Sequence, residues 1–248
     1  MTTAATDLWV RSYHPAPAAD ARLVCFPHAG GSASFYFPVS AALSSVADVV
    51  AVQYPGRQDR HTEKGIETIA ELADRAAEAL RAYGDPLPLT FFGHSMGAVL
   101  AFEVARRLER DGRAPAHVFA SGRRAPSSFR PENVHQRDDD GVIAEMRKLS
   151  GTDPRVLGDD EVLRMVLPAI RSDYTAIENY RAEPGAQIGS PITVLVGDDD
   201  PRTTLDEARA WEPHTMGTFD VKTFSGGHFY LTDHAQEVIA LLKAHFTA

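Results

Sequence analysis

Short apolar runs alternating with amphipathic stretches set the rhythm of this chain. Runs rich in β-branched and aromatic residues recur at 8–13, 22–27, 48–54, 88–93, 117–122, 192–197 and 219–226, among them RLVCFP, DVVAVQY, PLTFFG and ITVLVG. Several are apolar throughout instead of alternating, the pattern of strands covered by helices on both faces. Between them apolar residues return at helical spacing. Over 65–84, Ile66, Ile69, Ala70, Leu72, Ala73, Ala76, Ala77 and Leu80 form one stripe, with Glu67, Glu71, Asp74, Arg75, Glu78 and Arg81 mostly outside it. Further helices are predicted over 98–110, 203–211 and 233–246. Strands that alternate with helices predict an α/β fold: a mostly parallel central sheet flanked by helices, with right-handed crossovers.

The rhythm fails between Gly122 and Gly189. This stretch offers no clear strand, opens on the polar RRAPSSFRPENVHQRDDD, and continues with two or three helical runs, in GVIAEMRKLS and DDEVLRMVLPAIRSDYTAIENY. A structureless loop of that length is uncommon in a compact domain. The expectation is one domain over 1–248 with a helical lid inserted at 123–189. RDDDG at 137–141 lacks the remainder of a calcium loop and reads as the start of a helix, its acids favoured by the helix dipole.

Composition narrows the picture. At 248 residues and 44% hydrophobic content the chain can bury a sizeable core, and a net charge of -9 argues against nucleic-acid binding. The single cysteine, Cys25, excludes an internal disulfide and a cysteine metal cluster, and its apolar surroundings predict a buried thiol. The first residues show no basic-then-apolar leader, and no apolar run approaches the ~18 residues of a membrane helix, so a cytoplasmic protein is expected. HAGGSAS lacks both G-x-G-x-x-G and the lysine of a phosphate loop, and no H-E-x-x-H occurs. No cofactor and no metal are therefore expected.

The chemistry concentrates in FFGHSMGAVLAFEVARRL. Gly93-His94-Ser95-Met96-Gly97 places a serine between a strand and a helix, with glycines two positions away on either side, as in a nucleophile elbow. A serine hydroxyl is a weak nucleophile until a base takes its proton and an acid orients that base. In this architecture the acid and then the histidine follow the serine. VGDDDP supplies the acid: Asp200, which precedes the rigid Pro201, is preferred, with Asp199 as the fallback. GGHF supplies His228. His234 and His245 read as surface or helix-terminal residues, and His94 is too close in sequence to turn back on Ser95. His28, in FPHAGG, is expected to brace a loop whose Ala29 N–H joins the Met96 N–H as an oxyanion hole. Arg57, Arg60, Arg123, Arg124 and Arg130 are candidates for a surface facing an acidic partner, against the ordinary alternative of solvated or salt-bridged arginines.

FPHAGGSASFY (26–36), QYPGRQDR (53–60), GHSMGA (93–98), SGRRAP (121–126), VGDDDP (196–201) and GGHFYL (226–231) stand in one order along the chain. In that order they resemble the type II thioesterases of polyketide and nonribosomal peptide biosynthesis, discrete editing members of the α/β-hydrolase superfamily. The resemblance implies Ser95 as nucleophile, Asp200 and His228 as its partners, Ala29 and Met96 as oxyanion donors, and a mobile helical lid after SGRRAP. It implies an acyl or peptidyl carrier protein bearing a phosphopantetheine-linked acyl chain as partner, with hydrolysis of stalled or aberrant acyl groups as the reaction. Thr203 departs from it, standing where relatives commonly carry an apolar residue. A general carboxylesterase, an acyltransferase and a non-catalytic carrier-binding module share the same fold. A monomer is expected.

Overall fold

The computed structural model describes residues 8–84, 86–149 and 160–247. A seven-stranded sheet runs in the order β1-β3-β2-β4-β5-β6-β7, with β1 Val10–Ser12, β2 Arg22–Phe26, β3 Asp48–Val52, β4 Leu89–His94, β5 His117–Ser121, β6 Ile192–Gly197 and β7 Phe219–Phe224. Only β1 is antiparallel to its neighbour. Each strand lies within a run predicted from apolar patterning, except that β4 extends one residue past its run to His94. β2, β3, β4 and β6 are buried along their whole length, whereas β7 at the edge alternates half-buried and exposed positions. This is the α/β-hydrolase arrangement.

The two sheet faces carry separate cores, sorted by the two-residue period of the strands. Val24, Phe26, Val50 and Val52 point to one side, toward α2 (Ile69–Ala82) and α3 (Met96–Arg110). Leu23, Cys25, Val49 and Ala51 point to the other, toward α1 (Phe37–Leu43) and α8 (Ala235–Thr247). Cys25 is fully buried, as its surroundings predict. α2 begins where Thr68 Oγ1 accepts the Glu71 N–H at 3.2 Å, so a side-chain cap fixes its start.

Two details differ from the sequence reading. α1 was not foreseen, because its seven residues, FPVSAAL, are too few to show a helical period. The helix predicted over 233–246, which follows α6 (Leu205–Arg209), is α8 from its third residue on, and a separate short helix that the patterning did not predict, α7 (Tyr230–Asp233), stops just before it at His234. His245 stands in the last turn of α8, as expected, and is half-buried there: α8 lies against the sheet, so its Nε2 meets Thr90 Oγ1 at 2.9 Å and its ring packs on His117 and Phe119.

Between β5 and β6 the chain forms α4 (Asp139–Leu149) and α5 (Asp160–Glu178). Ser150 and Asp159, at the facing ends of the two predicted helical stretches, lie outside the described residues. Val134, Val142, Met146, Leu163, Leu167 and Ile170 pack into a small apolar cluster of their own, apart from both sheet cores. The chain runs from β2 outward to β3 and returns across β2 to β4, which opens a crevice at the carboxyl ends of β2 and β4, where α/β sheets hold their ligands. No helix among the described residues is long and apolar enough to cross a membrane.

Candidate active site

Ser95 stands at the junction of β4 and α3 with φ 55° and ψ -117°, a left-handed conformation that non-glycine residues rarely adopt. Its N–H donates to Ser121 O at 2.8 Å, and its carbonyl accepts from Ala98 N at 3.0 Å, so the sheet and the helix hold the strained residue between them. The flanking glycines are sterically required. A Cβ on Gly93 would lie 2.1 Å from Gly97 O, and one on Gly97 would lie 2.0 Å from Phe26 O. Backbone pressed on backbone leaves room for hydrogen alone, which is the physical content of the G-x-S-x-G spacing.

His228, in the turn after β7, brings Nε2 to 3.0 Å from Ser95 Oγ. Its Nδ1 lies 3.0 and 2.9 Å from the two oxygens of Asp200, in the turn after β6. His228 and Asp200 are both buried, at 4% and 7% exposure, so water does not compete for the contact. Asp200 Oδ1 also accepts the Arg202 N–H at 2.7 Å. The neighbouring acids do different work. Asp198 Oδ1 accepts the Gly226 N–H at 2.9 Å, and the Asp199 N–H donates to Gly226 O at 3.0 Å, stitching the acid turn to the histidine turn. Both of their side chains are exposed, so the fallback acid, Asp199, is not the one that meets His228.

Behind His228 lies a network that the sequence reading missed. Ser121 Oγ bridges His94 Nδ1 at 2.9 Å and Tyr230 Oη at 2.6 Å. His94 contacts the His228 ring, with centroids 5.1 Å apart, and makes no bond to Ser95. Three residues from three elements converge here, and nothing local in the sequence marks them as partners. His28 packs edge-on between Phe35 and Phe229. A Cβ on Gly31 would sit 2.8 Å from the His28 ring, so the HAGG turn and the imidazole fit together tightly. Burial, then the neighbouring His228 and Arg57, push the His28 pKa down to about 3. Burial, then His228 and His28, hold His94 well below the ordinary histidine range. Both rings are neutral at pH 7.

Ser95, His228, His28 and Ala29 line the floor of a cavity of about 560 Å³, and Met146, Val166, Ile170 and Tyr174 from α4 and α5 form its apolar roof. Met96 is the first residue of α3 and is buried directly after Ser95. Its N–H lies outside the intrahelical ladder at the positive end of the helix dipole. The five arginines do not make an exposed cationic face. Arg57 is buried against Asp173 and Arg60 pairs with Glu63. Arg124 pairs with Glu132, and Arg130 with Glu207. Arg123, also buried, lines the cavity with no ion pair among the described residues. Burial and the nearby Arg124 push it down to about 9, which still leaves it a cation at neutral pH. Thr203 is 1% exposed and its hydroxyl finds no partner among the described residues, in keeping with a position suited to an apolar side chain.

The arrangement suits acyl transfer to serine. An imidazole within reach of the hydroxyl can take its proton, a buried carboxylate can stabilise the imidazolium, and backbone N–H groups beside the serine can receive a developing oxyanion.

Comparison with known proteins agrees with that chemistry. The family model described as "Thioesterase domain" matches residues 21–246. A probable cadicidin biosynthesis thioesterase of Streptomyces griseus is 56% identical over 230 residues, 93% of this chain; the chain spans 63% of that relative's length. Thioesterase PikA5 of Streptomyces venezuelae is 49% identical over 241 residues, covering 97% of this chain and 86% of the relative. The solved structure of the type II thioesterase BorB, from the borrelidin biosynthetic cluster, superposes with a TM-score of 0.91 at 51% identity, covering 97% of this chain and 98% of BorB. The chain belongs to the thioesterase family, among its type II members.

Proposed function

We propose that this thioesterase hydrolyses acyl groups held as thioesters on the phosphopantetheine arm of acyl or peptidyl carrier proteins, clearing stalled or aberrant units so that the carrier returns to service. The observation that carries the reading is the Ser95–His228–Asp200 chain of contacts, at 3.0 and 2.9 Å, on the floor of a cavity with an apolar roof. In the proposed mechanism His228 takes the Ser95 hydroxyl proton as Oγ attacks the thioester carbon. The Ala29 and Met96 N–H groups receive the oxyanion, and Asp200 holds the His228 ring and stabilises its cation. Collapse of the tetrahedral adduct expels the pantetheine sulfur, which leaves as the thiol with the proton held by His228. Water, deprotonated by His228, then attacks the acyl-serine ester, and the proton returns to Oγ as the free acid departs.

The acting form is proposed to be a cytoplasmic monomer of one domain, in which 123–189 is a lid. Support for the lid comes from α4 and α5, which roof the cavity and carry their own apolar cluster. The test uses matched acyl carrier proteins, acyl-coenzyme A and p-nitrophenyl esters with the protein and its Ser95→Ala variant. Acyl release should be fastest from carriers and fall by at least about 10³-fold in the variant. Free esters cleaved as well as carriers would instead describe a general esterase, and transfer to an added alcohol an acyltransferase.

A further inference from the structure

The turn that carries Ala29 is held by side chains from outside it. Tyr54 Oη donates to Pro27 O at 3.1 Å, Gln53 Oε1 accepts from Ala33 N at 2.8 Å, and Arg57 Nη1 donates to Gly31 O at 2.9 Å. These three residues stand just after β3 and belong to the body of the fold. One further partner does not. Asp173, on the roof helix α5, accepts the Gly30 N–H at 2.7 Å through Oδ2.

Asp173 is 1% exposed and is gripped by Arg57 in a two-pronged pair, Nη1 to Oδ2 at 2.7 Å and Nη2 to Oδ1 at 2.8 Å. Ile170, one turn earlier on α5, fits against Gly30, where φ is +76° and an added Cβ would lie 2.8 Å from Ile170 Cγ1. The turn and the roof helix are therefore shaped to one another. A buried ion pair is a weak source of net stability, because desolvation offsets most of its attraction, but a two-pronged pair fixes orientation well. The Gly30 N–H belongs to the peptide that follows Ala29. Once that peptide is fixed, only the two soft dihedrals of Ala29 separate it from the Ala29 N–H.

We infer that Asp173 is a positioning residue for hydrolysis: by holding the Gly30 N–H it aims the neighbouring Ala29 N–H into the cavity, so the oxyanion hole is complete only while α5 is seated. The inference rests on the proposed role of Ala29. It makes the roof helix part of the catalytic geometry as well as a cover for the acyl chain. A substrate that fails to let α5 seat is bound without being turned over.

The test compares the wild type with Asp173→Ala, Asp173→Asn and the double variant Arg57→Met/Asp173→Leu, in which apolar groups replace the buried pair. Three quantities are read on each: kcat and KM for an acyl-pantetheine thioester, inhibition by an acyl trifluoromethyl ketone that forms a tetrahedral adduct with Ser95, and affinity for an inert thioether analogue. Asp173→Ala and the double variant are expected to lose roughly 10- to 100-fold in kcat with KM within about twofold, somewhat less than removal of an oxyanion donor outright. Ketone inhibition should weaken by a similar factor while thioether binding holds. Asp173→Asn, which keeps an acceptor for the Gly30 N–H, should recover part of the loss. Ketone and thioether affinities that weaken in parallel, or a double variant with full kcat, would overturn the positioning role. Wild-type turnover that survives Ser95→Ala would remove the underlying reading, and the inference with it.

Discussion

Ser95 was legible in the sequence because its constraint is local: two glycines whose missing side chains make room for two crossing backbones. His228 and Asp200 were legible for a related reason, since each follows an apolar strand in a turn that aims one side chain at the sheet edge. Choosing Asp200 over Asp199 depended on Pro201, and the structure gives Asp199 a stitching contact through its backbone instead. Asp173, Ser121 and Tyr230 were not legible. Each acts on a group far away in the sequence, and an aspartate or tyrosine in a helical run looks the same whether it faces solvent or a buried turn. Thr203 offers a test at this scale, because its buried hydroxyl has no partner among the described residues. Thr203→Val keeps the shape and removes the unpaired group, so it should stabilise the protein by about 1 kcal/mol with turnover unchanged. Chemical denaturation measures the shift; a loss of stability would mean that the hydroxyl is satisfied in solution.

Among the elements, continuous apolar runs announced the strands, whereas α1 was too short to announce itself. Arginine-rich stretches left two readings open, because one letter serves both surface charge and internal clamp, and Arg57, Arg60, Arg124 and Arg130 take the ion-paired one. Arg202 illustrates the second use. Its backbone N–H meets Asp200, and its guanidinium reaches Glu132 at 2.5 Å and Glu145 on α4. The acid turn and the roof helix thus share one side chain. Arg202→Ala should loosen α4 without unfolding the sheet, since Glu132 keeps Arg124 and Glu145 keeps Arg137. Deuterium exchange should speed up across 139–149 and leave β4 and β6 unchanged. Uniform exchange over both regions would show that the clamp does not anchor α4.

For the molecule as a whole, buried neutral histidines set the response to acid. Burial pushes His28 down to about 3 and His117 to about 4, from an ordinary value of 6.5, and holds His94 well below it. Below pH 6.5 the unfolded chain therefore takes up protons that the folded chain refuses, so unfolding becomes more favourable as pH falls. The melting temperature should hold near pH 7 to 8 and decline steadily below about 6.5, with the His28 contribution fully lost only near 3. Glu132, which Arg124 and Arg202 hold at about 2 against the opposing effect of burial, adds to the decline below its ordinary 4.5. A melting temperature that stays flat from pH 7 to 4.5 would contradict this account. Cys25, facing the α1 and α8 side of the sheet, has a consequence of another kind. It is the chain's only cysteine, it is fully buried, and burial pushes its thiol well up, so native protein presents no competing sulfur to a maleimide. A cysteine introduced at Met165, exposed on α5, becomes a unique attachment point for a dye, and the seating of that helix can be followed one label at a time without first stripping the protein of its own thiol.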